Sequence, residues 1–186
     1  MRVDVIGGGP AGLYFAILVK KSHPLARVEV GERNRSDATF GFGIVLSDDT
    51  LNNLRRADEP SYRDIAANFA YWDDIYVHYK SRMLASSGHG FSGLGRLKLL
   101  QILQKRAAEL GVDVRFQTED PGLASHRDAD LIVGADGINS AVRNALKTDL
   151  GATVEMRPNR FVWLGARTSL PGFTYNGWNG LFAPKG

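Results

Sequence analysis

Six residues near the amino terminus have the types and spacing of a phosphate-binding turn. The run GGGPAG from Gly7 to Gly12 matches the G-x-G-x-x-G pattern, between a predicted strand and a predicted helix. Gly7 permits a tight turn, Gly9 leaves room for a pyrophosphate, and Gly12 allows the helix to pack closely on the strand. The first amides of the helix then offer N–H groups and a partial positive charge. The pattern predicts a dinucleotide site that includes Pro10 and Ala11.

An acidic residue stands where such a site needs one. Glu32 lies twenty positions after Gly12, at the end of the second predicted strand. A carboxylate there accepts hydrogen bonds from an adenosine ribose and repels a ribose phosphate. The spacing favours FAD or NAD over NADP as the resident ligand, and Arg33, beside the acid, is a further candidate contact.

Two other segments carry candidate binding residues. Asp136 and Gly137 follow a predicted strand and precede a short predicted helix. Arg96 opens a long predicted helix, where its charge opposes the helix dipole, which indicates that the side chain is used elsewhere. Taken alone, the first segment is an ordinary strand-to-helix turn and the second is a solvated surface arginine.

The elements that position these residues are predicted from hydrophobic periodicity. Arg2–Ile6, a helix from Ala11 to about Lys21, and Arg27–Glu32 form a β-α-β unit, and a right-handed crossover makes its strands parallel. The same reasoning predicts further helices: one capped by Ser47, one from Pro60, Arg96–Leu110 closed by Gly111, and Ser140–Leu146. It predicts a half-exposed strand Ile75–Tyr79, a buried strand Leu131–Ala135, and strands Val112–Phe116 and Phe161–Thr168. A loop is predicted over 33–46, and turns over 86–90 and at Asn176-Gly177 and Asn179-Gly180.

The composition excludes several classes of function. The 186 residues contain no cysteine, which rules out disulfides, thiolate metal sites and cysteine nucleophiles. No apolar run approaches the roughly 18–20 residues of a membrane span, and we expect a cytoplasmic protein. The net charge is only +3 and the basic residues are scattered, so we expect no nucleic-acid partner. Four histidines without clustered carboxylates predict no metal site.

Together with these motifs, four segments carry a resemblance to a known family: Gly41–Asp48, Trp72–Ile75, Gly88–Arg96 and Arg157–Gly165. The sequence resembles the amino-terminal half of class A flavin-dependent aromatic monooxygenases, which are related in fold to para-hydroxybenzoate hydroxylase. Within that family it is similar to the branch of salicylyl-CoA hydroxylase, 2-aminobenzoyl-CoA monooxygenase and the tryptophan hydroxylase of violacein synthesis.

The resemblance implies an α/β fold, with a Rossmann-like FAD-binding domain of the glutathione-reductase type and part of a mixed or antiparallel substrate-domain sheet. Residues 1–70 and 94–150 would mainly bind FAD, while 71–93 and 151–186 would supply partial substrate-domain strands. Members of the family carry a further Gly-Asp motif beyond this length. We therefore expect residues 1–186 to be an incomplete FAD-binding monooxygenase domain, a truncated form.

The family also implies FAD as cofactor, NAD(P)H as a transient co-substrate, O2, and a small aromatic molecule or an aryl-CoA as substrate. By resemblance, the glycines hold the pyrophosphate, the acid holds the ribose, and Arg96 reaches the ribityl–phosphate region. The Gly41–Val45 loop would lie near the isoalloxazine, and His89 is a candidate substrate contact. The cofactor-binding residues expected on these grounds are Gly7, Gly9, Pro10, Ala11, Gly12, Glu32, Arg33, Gly43, Arg96, Asp136 and Gly137. No catalytic residue is assigned, and the oligomeric state stays open.

Two other functions remain open at this point. An NAD-linked dehydrogenase uses the same β-α-β unit, but the Asp136-Gly137 segment and the lack of a recognisable second catalytic domain argue against it. A non-catalytic dinucleotide-binding fragment is the other alternative, and the chain length favours it.

Overall fold

The computed structural model describes residues 1–120, 122–158 and the backbone of 173–177. Its strands are β1 (Arg2–Ile6), β2 (Arg27–Gly31), β3 (Gly43–Ser47), β4 (Ala70–Trp72), β5 (Ile75–Tyr79), β6 (Arg82–Ser86), β7 (Phe91–Gly95), β8 (Asp113–Arg115), β9 (Leu131–Gly134) and β10 (Phe173–Gly177). Its α-helices are α1 (Pro10–Ser22), α2 (Asp48–Ala57), α3 (Glu59–Ala66), α4 (Arg96–Glu109) and α5 (Ala141–Ala145), and a 3-10 helix spans Leu123–His126.

A parallel sheet in the order β8-β2-β1-β9 holds the predicted β-α-β unit. One face of this sheet carries valines, of which Val3, Val5, Val28 and Val30 are fully or almost fully buried. They share one apolar core with buried side chains of α1 and α4. The β-α-β prediction is confirmed, because the apolar residues of α1 cover the valine face that β1 and β2 form together.

The opposite face of the parallel sheet is charged. The residues that share it in register are Arg2, Asp4, Arg27, Glu29, Asp113 and Arg115. Arg2 pairs with Asp4 at 3.0 Å, and Arg115 pairs with Glu29 at 3.3 Å. Parallel strands usually read as continuous apolar runs because both faces are covered. The alternation of charged residues and valines here places ion pairs where a second apolar layer usually lies.

One buried carboxylate joins three helices. Asp58, between α2 and α3, is completely buried and accepts hydrogen bonds from Nε and Nη2 of Arg106, both at 3.0 Å. It also accepts from the hydroxyl of Ser61 at 2.6 Å and lies 2.9 Å from Nζ of Lys21. Burial alone would raise the pKa of Asp58, but these bonds lower it well below its ordinary range. The ionised carboxylate therefore fixes α1, which carries Lys21, against α4, which carries Arg106.

Two further sheets lie beside this unit. One is antiparallel, in the order β3-β7-β4, and the other is mixed, in the order β10-β5-β6. Because α4 begins at the residue after β7, the antiparallel sheet sets the position of Arg96. The α/β class and the additional mixed or antiparallel strands are confirmed.

Several local predictions were wrong. Strand β3 begins at Gly43, inside the predicted loop, because its backbone pairs with β7. Strand β6 includes Ser86, where turns were predicted, and all its residues are exposed, so no alternation marks it. Asn176-Gly177 belongs to β10, which pairs in parallel with β5, and is not a turn. Strand β9 lies at a sheet edge and is only half-buried, with Leu131 44% exposed. The predictions for 161–168 and for Asn179-Gly180 lie outside the described residues.

Candidate functional site

The glycine turn between β1 and α1 is fixed by close backbone contacts. Gly7 has φ +109°, and a Cβ there would lie 2.4 Å from the carbonyl oxygen of Ala135. A Cβ on Gly12 would lie 2.0 Å from the carbonyl oxygen of Gly7. A side chain at either position would collide with backbone, so both glycines are required by the turn and by the packing of α1 on it, as predicted.

Gly9 and Gly8 differ from these two. Gly9 has φ −71°, a value open to any residue, and no atom lies within 4 Å of where its Cβ would be. A Cβ on Gly8, in contrast, would lie 2.7 Å from the Cβ of Glu32. No described residue therefore obstructs the space at the Cβ position of Gly9, whereas Gly8 is small because the acid packs against it.

The carboxylate of Glu32 points at the glycine turn. Its Oε2 accepts the amide of Gly8 at 2.8 Å. Its Oε1 accepts both the amide and the side-chain nitrogen of Asn34, at 2.8 and 2.6 Å. Each carboxylate oxygen can accept about two hydrogen bonds. Oε2 therefore retains capacity for one more donor, while Asn34 holds the carboxylate in place through Oε1.

The backbone around Glu32 is held from both sides. The amide of Gly7 donates to the carbonyl of Gly31 at 2.8 Å, and the amide of Glu32 donates to the carbonyl of Arg115 at 2.8 Å.

Of the other residues predicted to contact the cofactor near this turn, Pro10 is the first residue of α1, and Ala11 is exposed in its first turn. Arg33 is exposed.

Asp136 lies next to the same turn. Its backbone amide would be 2.8 Å from a Cβ on Gly7, and its Oδ2 accepts the amide of Ala141 at 2.6 Å, at the start of α5. Burial alone would raise the pKa of Asp136, but hydrogen bonds from Ser140 and from the first amides of α5 lower it. Its Oδ1 is buried and has no hydrogen-bond partner among the residues that the structure describes. Gly137 follows with φ +84°.

The fold thus brings together the glycine turn, Glu32 and Asp136. They follow β1, β2 and β9, and ligands in open α/β sheets bind at the carboxyl ends of parallel strands. Gly43 and Arg96 form a second group on the antiparallel sheet. Gly43 pairs with Gly95, and the amide of Arg96 donates to the carbonyl of Phe42 at 3.1 Å. Nε of Arg96 is buried, and no described residue is its hydrogen-bond partner.

A cleft of about 530 Å³ opens on the antiparallel sheet. Its lining residues are Phe42, Gly43, Ile44, Val45, Asn68, Phe69, Ala70, Trp72, Gly93, Leu94 and Gly95. The indole of Trp72 covers Gly93, where a Cβ would lie 2.4 Å from the ring, while the Cβ position of Gly95 faces open space. The lining therefore combines three glycines with three aromatic side chains, those of Phe42, Phe69 and Trp72, of which the Trp72 ring forms the wall over Gly93.

The two histidines considered from the sequence lie away from this lining. His89 is exposed, stacks on Phe91 with a centroid distance of 6.0 Å, and bonds the hydroxyl of Ser86 at 2.6 Å. His78 is exposed on β5. A contact between His89 and substrate stays a prediction.

Sequence reasoning missed three residues of this region. Gly8 occupies a variable position of the pattern, and only its contact with Glu32 explains it. Asn34 follows the acid by two positions, which was an available signal for a side chain that holds it. Trp72 belongs to a segment that carried the family resemblance, but its place in the cleft depends on strand pairing with β7.

Two searches of the described residues were negative. No helix within 1–120 and 122–158 is long and apolar enough to cross a membrane. Over the part of the chain that the structure describes, no group of three or more histidine, aspartate or glutamate side chains could hold a metal ion.

Curated proteins are similar to this chain in sequence. Salicyloyl-CoA 5-hydroxylase of a Streptomyces species is 41% identical over 186 residues, which cover 98% of this chain and 36% of that protein. A 3-hydroxy-4-methyl-anthranilyl-aryl-carrier protein 5-monooxygenase of Streptosporangium sibiricum is 31% identical over 170 residues, or 91% of this chain and 48% of that protein. The chain therefore spans between about a third and a half of the length of these curated relatives. No family model matches the chain.

Solved structures share the fold. The structure of 2-methyl-3-hydroxypyridine-5-carboxylic acid oxygenase is 30% identical with a TM-score of 0.66, covering 78% of this chain and 42% of that chain. The sequence relatives and this structural neighbour both match the family predicted from the motifs. The chain is thus similar, in sequence and in fold, to the amino-terminal part of class A FAD-dependent aromatic monooxygenases.

Proposed function

We propose that this chain forms the FAD-binding part of a monooxygenase that hydroxylates an aromatic substrate with NAD(P)H and O2. The observation that carries the proposal is the carboxylate of Glu32, which is held 2.8 Å from the amide of Gly8, beside the open space above Gly9. This supports a site in which the carboxylate accepts hydrogen bonds from ribose hydroxyls, next to the amino end of a helix that would stabilise a diphosphate.

The start of α1 fits a phosphate. The N-cap residue of α1 is Gly9 and that of α4 is Gly95, and neither helix start has a side-chain cap. The other α-helices among the described residues begin with side-chain caps, from Ser47, Asp58 and Ser140. Free amides at a helix start, with no competing side-chain oxygen, leave donors for an anionic ligand.

The Glu32 carboxylate supports a dinucleotide whose adenosine ribose carries no phosphate. One acceptor position on Oε2 remains for a ribose hydroxyl, while Gly8 and Asn34 occupy the others. The negative charge opposes a phosphate on the same ribose. FAD meets this requirement, and we propose it as the resident cofactor. NAD(P)H would enter only transiently, as a reductant.

Two buried polar atoms that have no hydrogen-bond partner within the described part of the chain fit further contacts with this cofactor. They are Nε of Arg96, at the start of α4, and Oδ1 of Asp136, beside the glycine turn. A buried polar group that lacks a hydrogen bond costs about 1–3 kcal/mol, and a bound ligand would remove that cost. We propose that Arg96 contacts the ribityl–phosphate region and that Asp136 and Gly137 lie along the cofactor. Pro10, Ala11, Arg33 and Gly43 are proposed as secondary contacts.

When bound, FAD supplies the transfer of hydride from NAD(P)H and the activation of O2. The chain's own residues would hold and orient it: the amides of α1 bind the diphosphate, and Glu32 fixes the adenosine end. Residues 1–70 and 94–150 would supply most of this surface. Residues 71–93 and 151–186 would contribute to the substrate side.

The cleft on the antiparallel sheet is our proposed place for the aromatic ring of the substrate. Its volume lies in the range of about 300–1,000 Å³ that is usual for small-molecule sites, and its Trp72 wall can stack on a planar ring. Both curated relatives are named for aryl groups carried on CoA or on a carrier protein. We propose an aryl thioester as the substrate class, in a cytoplasmic enzyme.

Titration of the purified chain with FAD, NAD and NADP tests the proposal. We expect FAD to bind most tightly, and Glu32→Gln to weaken it, because the new amide would set N–H groups against those of Gly8 or Asn34. Tight binding of NAD with no binding of FAD would favour an NAD-linked dehydrogenase. FAD binding without reduction by NAD(P)H would favour a non-catalytic nucleotide-binding fragment.

A further inference from the structure

One histidine is held between two carboxylates beside the segment that supports Glu32. Nδ1 of His126 lies 2.8 Å from Oδ2 of Asp4, in the middle of β1, and Nε2 lies 2.7 Å from Oδ2 of Asp120. The side chain of His126 is only 18% exposed and that of Asp4 only 4%. Both ring nitrogens can donate only in the imidazolium form, so this bridge requires a protonated histidine.

The loop that contains Asp120 is attached at its other end to the proposed ribose site. The amide of Thr118 donates to the carbonyl of Glu32 at 2.9 Å, and the amide of Gln117 donates to the carbonyl of Asn34 at 3.1 Å. Gln117 has φ +54°, an uncommon value for a residue other than glycine. Only Glu119 stands between Thr118 and Asp120, so an ordered Asp120 also orders the amides that hold Glu32 and Asn34.

We infer that His126 is a positioning residue for the adenosine end of the proposed cofactor site, and that loss of its proton releases the loop that holds Glu32 and weakens nucleotide binding. The effect on nucleotide binding rests on the proposed function, whereas the release of the loop does not.

The two carboxylates differ in how firmly they are held without the histidine. Asp4 also accepts Nε and Nη2 of Arg2, both at 3.0 Å, on the central strand. Asp120 lies in the loop, where its other oxygen accepts a local amide, that of Gly122 at 2.6 Å. A neutral imidazole has one donor and one lone pair, and the lone pair repels a carboxylate. The contact with Asp120 is therefore the one that breaks.

Charged groups of both signs lie around the bridge. They are Arg2 and Asp4 on β1, Glu29 on β2, Arg115 on β8, and Asp120 and Asp128 in the loop. Burial alone would lower the pKa of His126, but the hydrogen bonds and charges of Asp4 and Asp120 raise it above its ordinary value. A group whose pKa is raised in the folded chain stabilises the fold at pH values below its ordinary pKa. This stabilisation is lost as the pH rises through the folded-state pKa. Affinity should therefore fall toward high pH.

The test is the dissociation constant of FAD for the purified chain between about pH 6 and pH 9, in wild type and two variants. In the wild type we expect affinity to fall about fivefold or more, the lower end of usual coupling between sites. In Asp120→Asn the amide can accept from a ring N–H or donate to a ring lone pair, so it serves both protonation states and the pH dependence should disappear. His78→Gln, at an exposed histidine on β5, is the matched control and should behave as wild type.

Amide hydrogen exchange at Gln117 and Thr118 gives a second readout that needs no ligand. After correction for the intrinsic effect of pH, both amides should lose protection toward pH 9 in the wild type but not in Asp120→Asn. A flat affinity and flat protection in the wild type, or equal pH dependence in Asp120→Asn, overturns the inference. Loss of protection in a chain that binds no FAD at any pH refutes the proposed function and leaves the role of His126 in the loop standing.

Discussion

The amide of Gly8 donates to the carboxylate of Glu32 at 2.8 Å, and a Cβ on this glycine would lie 2.7 Å from the Cβ of the acid. The two residues are 24 positions apart in the chain. Their contact couples the turn after β1 to the end of β2, so the phosphate-binding and ribose-binding parts of the proposed site form one rigid unit.

Alanine at Gly9 and at Gly8 should separate ligand binding from packing. Gly9 has allowed backbone angles and open space at its Cβ position, so Gly9→Ala should change stability by less than about 0.5 kcal/mol. A methyl group there would still occupy the proposed place of the diphosphate, and FAD affinity should fall about tenfold or more, which corresponds to about 1.4 kcal/mol. Gly8→Ala should reduce both stability and FAD affinity, and overpacking against Glu32 should lower the stability by about 1–3 kcal/mol. Thermal unfolding and FAD titration measure the two effects. Unchanged affinity in Gly9→Ala would contradict the proposed diphosphate position.

Two arginines on α4 should have opposite roles. Arg106 is the bidentate partner of buried Asp58, and Arg106→Met should cost about 3–5 kcal/mol because it leaves that carboxylate without its main partner. The buried Nε of Arg96 bonds none of the described residues, so Arg96→Met should cost little stability but weaken FAD binding. Urea unfolding and FAD titration of both variants provide the comparison. The assignment of Arg96 fails if its variant loses stability and keeps full affinity.

Stability should depend on pH through Asp58. Its pKa in the folded chain lies below the ordinary value of about 3.9, so its contribution is present above that pH and is lost as the pH falls further. Asp58→Asn should be about 3–5 kcal/mol less stable than wild type at neutral pH, because Arg106 and Lys21 lose a buried counter-charge. The difference should narrow from about pH 5 to about pH 2. Urea titrations at several pH values measure it, and a difference that stays constant would show that Asp58 is not the responsible group.

The proposed position of the substrate ring can be tested at Gly93 and Gly95, which line the cleft. Gly95 has φ −59° and ψ 130° with open space at its Cβ position, so Gly95→Ala should keep the melting temperature of the wild type while narrowing the cleft. Gly93→Ala would press on the ring of Trp72 and should lower stability by about 1–3 kcal/mol. Both variants should weaken binding of salicyloyl-CoA, measured by calorimetry. If Gly95→Ala binds this thioester as the wild type does, the ring lies elsewhere.

The sequence by itself determined the β-α-β unit and the similarity to flavin-dependent aromatic monooxygenases. The pattern of glycines, the spacing to Glu32 and the periodicity of α1 are local properties, and local patterns predict elements well because each residue's own backbone preference and burial decide them. The tight turn at Gly7 and the close packing at Gly12 follow from that pattern alone.

The tertiary structure decided what depends on contacts between distant segments. Strands β3, β6 and β10 carry glycines, exposed residues or turn-forming pairs, and only hydrogen bonds to β7 or β5 make them strands. Four contacts likewise appear only once the chain is folded: Gly8 with Glu32, Asn34 with Glu32, Trp72 with Gly93, and His126 with its two carboxylates. Periodicity reports which face of an element is buried, and it carries no information on which partner buries it.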